Sequence, residues 1–123
     1  MSGPVPFRVA GFGLRPGAGR QSLMAALRLA AGDEMPSALA TIPEREAALR
    51  PLAQEMGLPL HLVAVAGVET PTRSPRVLAS HGTGSVAEAA ALVAAGPGAR
   101  LVVGRVVSPD GMVTCAVAEG ETR

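Results

Sequence analysis

Short apolar runs alternate along the chain with segments of helical periodicity, and glycine-rich turns separate them. The predicted strands are residues 7–12, 37–42, 60–66, 101–107 and 112–118. Because residues 60–66 are apolar on both faces, they are expected to form a central parallel strand. The order β-α-β-α-β-α-β-β predicts the α/β class. We expect a three-layer α/β/α single domain over residues 1–123, with a mostly parallel sheet and a C-terminal antiparallel hairpin strand.

Capping and turn residues mark the ends of several elements. Ser74 predicts a short helix inside the long irregular stretch 67–84, because its hydroxyl can cap a helix start. Ser85 and Glu88 form an S-x-x-E capping box before an alanine-rich helix. The Ser-Pro-Asp-Gly sequence at 108–111 predicts the tight turn of an antiparallel hairpin.

Composition excludes several classes of function. With 123 residues, of which 48% are apolar, the chain predicts one folded domain rather than a disordered one. It has eleven arginines and no lysine, which excludes Schiff-base chemistry and a P-loop lysine. The net charge of +1 and the two aromatic residues argue against nucleic-acid binding. One cysteine, no signal-peptide pattern and no long apolar run predict a cytoplasmic protein with no membrane partner.

The loop after the first predicted strand is a candidate binding loop, because ligands of open α/β sheets bind beyond the carboxyl ends of the strands. Within residues 11–20, Gly13, Arg15 and Gly17 combine backbone N–H groups with a guanidinium group. A dinucleotide fingerprint is the alternative interpretation. It is disfavoured because Pro16 stands where the G-x-G-x-x-G pattern needs its third glycine.

Two arginines at the predicted start of the short helix form a second candidate. Arg73 and Arg76 lie three residues apart beside capping hydroxyl groups, an arrangement that suits a carboxylate or phosphate clamp. The alternative is that both side chains are solvated loop charges.

The loop before the alanine-rich helix is the third candidate, and its residues are His81, Gly82, Thr83, Gly84 and Ser85. Glycines let successive N–H groups converge on an anion, and the helix start adds positive potential. His81 is the candidate catalytic base. The alternative is that this loop serves backbone geometry and that Ser85 acts as a helix cap.

The other chemistry-bearing residues are weaker candidates. His61 is expected on a sheet face and Cys115 as a small buried apolar residue. The two histidines and the scattered acids show no ligand spacing, so we predict no metal site and no cofactor.

Taken together, the three loops and several other segments resemble the CobE family of cobalamin-biosynthesis proteins, which is similar to the C-terminal domain of CbiG. The resemblance covers about residues 6–118, and its segments are 11–17, 39–42, 52–60, 74–77, 84–92 and 113–118. The chain departs from the family pattern at Leu14, where cysteine is common, at 43–45, which replaces a lysine-bearing segment, and at Arg105, where lysine is common.

The resemblance implies a role in the aerobic corrin pathway and a corrinoid or precorrin intermediate as partner. Such macrocycles have an apolar face and a rim of carboxylates. The leading hypothesis is therefore a binding protein whose contacts are Arg15, Gly13, Gly17, Arg73, Arg76, Gly82, Thr83, Gly84 and Ser85, with Arg20 as a further cation.

Three alternatives stay open. The first is a lactone-opening hydrolase similar to cobalt-precorrin-5A hydrolase, with His81 as general base and the N–H groups of Gly84 and Ser85 stabilising an oxyanion. The second is a partner that docks onto other corrin-pathway enzymes. The third is a nucleotide-binding module. The sequence leaves the oligomeric state open.

Overall fold

The computed structural model describes residues 7–120. Its elements are β1 (Phe7–Leu14), α1 (Arg20–Ala31), β2 (Ala38–Thr41), α2 (Glu46–Met56), β3 (Leu60–Leu62), α3 (Pro75–His81), α4 (Val86–Ala95), β4 (Arg100–Val107) and β5 (Val113–Gly120). A single 3-10 turn, Pro43–Arg45, leads into α2. The predicted hairpin is confirmed, since β4 and β5 pair across the turn at 108–111.

All five strands belong to one sheet in the order β3-β2-β1-β5-β4. The β1–β2 and β2–β3 pairings are parallel, whereas β1–β5 and β5–β4 are antiparallel. The expected α/β class is confirmed, but the expectation of a mostly parallel sheet is wrong. The last strand of the chain inserts beside β1 and separates it from β4, so two of the four pairings become antiparallel.

Helices cover both faces of the sheet, as the predicted three layers require. Side chains of β1 alternate between the faces, with Ala10 and Phe12 on one side and Val9 on the other. The first face packs against α1 and α2 through leucines such as Leu27 and Leu49. The second face packs against the alanines of α4.

Two glycines allow α4 to lie directly on the sheet. A Cβ atom at Gly11 would lie 2.2 Å from the carbonyl oxygen of Ala87, and one at Gly120 would lie 2.1 Å from that of Ala95. No side chain fits at either distance. This close contact places the first turn of α4 beside the carboxyl end of β1.

The third strand differs from its prediction. β3 spans Leu60–Leu62 and lies at the edge of the sheet, not at its centre. Its pairing ends because β2 ends at Thr41, whose carbonyl accepts a last hydrogen bond from Val63 N–H. Within residues 7–120, no helix combines the length and apolar character needed to cross a bilayer.

Candidate functional site

A cleft of about 680 Å³ opens beyond the carboxyl end of β1. The first turn of α4 forms its floor, α3 forms one wall and the β4–β5 hairpin forms the other. Its volume lies in the usual range for small-molecule sites, about 300–1,000 Å³. Apolar contact surface comes from Leu14, Pro16, Val77, Val86, Val107 and Met112.

Four arginines line this cleft, which we call the arginine cleft: Arg15, Arg45, Arg76 and Arg105. They come from four separate segments, namely the loop after β1, the 3-10 turn, α3 and β4. Among residues 7–120, no aspartate or glutamate lines the cleft, and no carboxylate forms an ion pair with any of these four side chains. The positive charge is therefore available to an anionic ligand.

The start of α4 adds further polarity to the floor. The Ser85 hydroxyl accepts a 3.3 Å hydrogen bond from the Glu88 N–H and so caps the helix, as predicted. Ser85 and Val86 both line the cleft. Since helix starts carry partial positive charge, this floor favours an anionic ligand, as the arginines do.

The second half of the predicted capping box is absent. The Glu88 carboxylate does not return to the start of its own helix; it accepts hydrogen bonds from Thr72 and from the backbone of Arg105. The physical reason is that Glu88 is fully buried beside two other segments whose N–H groups need acceptors.

The α3 wall is formed as the sequence predicts. Ser74 caps the helix by accepting a 3.4 Å hydrogen bond from the Val77 N–H. Arg76, Ser80 and His81 project from this helix into the cleft. None of the α3 side chains is fully buried, so hydrogen bonds in the surrounding loops have a large share in holding this wall.

Five of the predicted site residues meet in the arginine cleft: Gly13, Arg15, Arg76, His81 and Ser85. Five others lie outside its lining: Gly17, Arg73, Gly82, Thr83 and Gly84. Their part in ligand binding stays a prediction.

The residues outside the lining have other contacts. The Gly82 N–H donates to the Leu78 carbonyl and ends α3. Thr83 is buried and its hydroxyl donates a 2.6 Å hydrogen bond to the Val68 carbonyl. A Cβ atom at Gly84 would lie 2.7 Å from the Thr72 carbonyl oxygen and 2.9 Å from the Arg73 Cγ. These positions pack the loop against itself.

Arg20, the additional cation of the sequence hypothesis, is engaged elsewhere. It forms an exposed ion pair with Glu55 that joins α1 to α2. This pair lowers the pKa of Glu55, chiefly through the hydrogen bond from Arg20.

Sequence reasoning left Arg45 and Arg105 out of the predicted binding set. The family resemblance marked both segments as places where lysine is common, and that was the available signal. Their convergence depends on the sheet order, because Arg45 follows β2 while Arg105 lies in β4 at the far edge. Both arginines line the same cleft as Arg15.

His81 is the candidate base, and it lies between two clefts. It lines the arginine cleft and also a smaller cleft of about 430 Å³ bounded by 42–44 and 63–66. No described residue forms a hydrogen bond with the His81 side chain.

The other titratable candidates lie apart from the cleft. His61 packs edge-on against Phe7 with ring centroids 6.3 Å apart. Cys115 is buried, and that burial raises the pKa of its thiol. In the described part of the chain, no group of three or more histidine, cysteine, aspartate and glutamate side chains could hold a metal ion.

Comparison with solved structures supports the fold. The chain is similar to CobE, a protein from the cobalamin (vitamin B12) biosynthetic pathway, with 31% identity and a TM-score of 0.80, over 100% of this chain and 97% of that chain. It is similar to the cobalamin biosynthesis protein chiG from Agrobacterium tumefaciens str. C58, with 38% identity and a TM-score of 0.68. The match covers 92% of this chain and 98% of that chain. A cobalamin biosynthesis protein G homologue from Sulfolobus solfataricus shares the fold at 21% identity and a TM-score of 0.64. The match covers 96% of this chain and 38% of that chain.

Sequence comparison gives the family directly. A search of curated proteins finds no significant match. The family model for the cobalamin synthesis G C-terminus matches residues 8–118, which confirms the resemblance inferred from the motifs. Because that match covers most of the chain and two relatives above 30% identity align along almost all of their length, this chain belongs to the cobalamin synthesis G C-terminal family of the cobalamin biosynthesis pathway.

Proposed function

We propose that this protein binds a carboxylate-rich corrinoid or precorrin intermediate of the aerobic corrin pathway in the arginine cleft. The observation that carries the proposal is the convergence of Arg15, Arg45, Arg76 and Arg105 on one cleft whose described lining contains no carboxylate. Arginine is suited to this task because its planar guanidinium binds a carboxylate through two parallel hydrogen bonds.

The shape of such a ligand fits the remaining lining. A corrin-type macrocycle presents an apolar face inside a rim of acetate and propionate groups. The arginine cleft places apolar side chains such as Val77, Val86 and Met112 among its cations. Exposed lining residues, including Arg15 and Val107, leave the cleft open to solvent. A broad ligand can therefore bind with part of its rim outside the protein.

The test is a titration of the purified protein with uroporphyrin I, a stable tetrapyrrole polycarboxylate, and with cobalt-free and cobalt-bearing corrin-pathway intermediates. Arg76→Gln should weaken binding about tenfold, since a hydrogen bond to a charged group contributes roughly 1.5 kcal/mol or more. Arg28→Gln is the matched control, because Arg28 is an exposed arginine of α1 outside the cleft. Equal affinities of the two variants would contradict the proposed site.

A hydrolytic role is the second candidate, and one observation favours it. His81, Ser85 and the positive start of α4 line the same cleft, as a lactone-opening reaction would require. Incubation with cobalt-precorrin-5A distinguishes the roles. A binding protein leaves the ligand chemically unchanged. A hydrolase opens the lactone, and its His81→Ala variant no longer does so.

A binding role implies transfer of the ligand to another enzyme of the same pathway. Co-purification of the ligand-loaded protein with the corrin-pathway enzymes tests this step. A complex that forms with the loaded protein and not with the empty protein would support hand-over of the intermediate.

A further inference from the structure

Glu88 is a buried carboxylate held by three hydrogen bonds. Its side chain projects from α4 and the residue is 0% exposed. Oε1 accepts from the Thr72 N–H at 3.0 Å and from the Thr72 hydroxyl at 2.8 Å. Oε2 accepts from the Arg105 N–H at 2.9 Å. No arginine or histidine among residues 7–120 forms an ion pair with it.

A buried carboxylate without a counter-ion is costly, so its hydrogen bonds define its position closely. All three of its partners donate hydrogen bonds, which suits a group that only accepts them. Each of its oxygen atoms binds a different segment of the chain. Glu88 therefore links two segments that are distant in the sequence, the loop at Thr72 and strand β4 at Arg105.

The Oε1 contact anchors the α3 wall. Thr72 lies two residues before Ser74, which caps α3, and α3 carries Arg76 into the cleft. Val77 is the α3 residue that packs partly against the core. With so little buried apolar surface on α3, hydrogen bonds hold the start of this wall: the Ser74 N–H donates to the Gly84 carbonyl at 2.8 Å, and Thr72 donates to Glu88.

The Oε2 contact anchors the opposite wall at an irregular place in the sheet. The β4–β5 register shifts between Val103 and Val106. Arg105 lies inside this irregularity, so its N–H is free to turn toward Glu88. The neighbouring Gly104 lies close to the same carboxylate, since a Cβ atom there would be in van der Waals contact with Oε2 at 3.4 Å.

We infer that Glu88 is a positioning residue that sets the separation of Arg76 and Arg105 and so selects ligands whose carboxylates span both walls. This inference rests on the proposed function of the arginine cleft. Because one carboxylate holds both walls, movement of either wall strains the bond to the other. A ligand that contacts one wall does not depend on this link.

The central experiment compares Glu88→Gln with Glu69→Gln. Glutamine has the same size as glutamate, but its amide nitrogen cannot accept a hydrogen bond. Whichever N–H group that nitrogen faces, that of Thr72 or that of Arg105, loses its acceptor, so one of the two links is lost. Glu69 is an exposed carboxylate before the same loop segment and is the matched control. The first readout is amide hydrogen exchange without ligand. Glu88→Gln should speed hydrogen exchange at the Thr72 amide or at the Arg105 amide about tenfold. Glu69→Gln should leave the exchange rates of both amides unchanged.

The second readout is affinity for two ligands of different span. Uroporphyrin I carries carboxylates all around a broad ring, so on this inference it contacts both walls and its affinity should fall about tenfold in Glu88→Gln. Inorganic phosphate is small enough to bind at one wall alone, so its affinity should change less than about twofold. A general loss of structure would weaken the binding of both ligands to a similar extent. Equal losses for the two ligands, or an unchanged affinity for uroporphyrin I, would overturn the inference.

A milder pair of variants serves if Glu88→Gln does not fold. Thr72→Val removes the hydroxyl bond and keeps the backbone bond, whereas Thr72→Ser keeps both. The valine variant should lose about threefold to fivefold in affinity for uroporphyrin I and the serine variant should restore it. Equal behaviour of the two would overturn the inference. Failure of the wild-type protein to bind uroporphyrin I would overturn the proposed function together with this inference.

Discussion

The Nε atom of Arg45 donates a 3.0 Å hydrogen bond to the carbonyl oxygen of Leu14. This bond joins the 3-10 turn after β2 to the last residue of β1, at the edge of the arginine cleft. It holds the guanidinium group in place before any ligand arrives. A cation that is already positioned loses less conformational freedom on binding.

Arg45 is therefore expected to contribute strongly to anion binding. Arg45→Gln should weaken binding of uroporphyrin I about tenfold, and Arg45→Lys should give a smaller loss, since lysine keeps the charge but not the planar fork. Fluorescence titration measures both. The Arg28→Gln variant should bind like the wild type, and a comparable loss there would show that general charge, not position, controls affinity.

Gly11 is expected to be intolerant of any side chain. Gly11→Ala would place a methyl group 2.2 Å from the Ala87 carbonyl oxygen, so α4 must move away from β1. We expect a loss of about 2–3 kcal/mol in the free energy of unfolding, measured by denaturant titration. Gly19→Ala is the control, because nothing lies within 4 Å of its added methyl group. Similar losses for both would contradict the close packing of α4.

Asp110 is expected to make the stability of the hairpin depend on pH. Hydrogen bonds from the Ser108 hydroxyl, the Ser22 hydroxyl and the Met112 N–H lower its pKa. Its contribution is therefore complete above the usual aspartate pKa of about 3.9 and is lost as the pH falls through the lowered value of the folded state.

The check is the melting temperature of the wild type and of Asp110→Asn between about pH 7 and pH 2. The wild type should be more stable at neutral pH, and the difference should shrink in acid. Asp33→Asn, which changes an exposed aspartate in a turn, is the control substitution. A gap between wild type and Asp110→Asn that is the same at every pH would contradict a role of the charged form.

Cys115 is expected to be unreactive in the folded protein. It is buried in the core between β5 and the α1–α2 layer, and burial raises the pKa of its thiol. Since the thiolate is the reactive form, a disulfide reagent should label Cys115 at the rate of global unfolding. Labelling should become immediate in guanidinium chloride. Rapid labelling under native conditions would show that this part of the core opens locally.

Local sequence signals predicted the parts of the cleft that depend on neighbouring residues. The caps at Ser74 and Ser85 and the turn at 108–111 are all present. Each forms hydrogen bonds within about five residues, so the sequence around it contains both partners. The family motifs likewise identified the relationship over nearly the whole chain.

Patterns whose outcome depends on distant partners gave wrong predictions. The S-x-x-E pattern predicts that Glu88 caps its own helix, yet its carboxylate binds donors at Thr72 and Arg105. The apolar run 60–66 resembles a central strand, yet β3 is a short edge strand. In both cases burial against other segments decided which partner was available.

The amino-acid sequence thus determined the order of helices and strands, their caps and the abundance of arginine, because these follow from periodicity and from contacts between near neighbours. Tertiary structure decided the rest. The insertion of β5 between β1 and β4 placed the hairpin beside the end of β1, and this brought Arg105 to the same cleft as Arg15 and Arg45. Strand periodicity specifies which face of a strand is buried but not which strand lies beside it, so the convergence of these cations appears only in the folded chain.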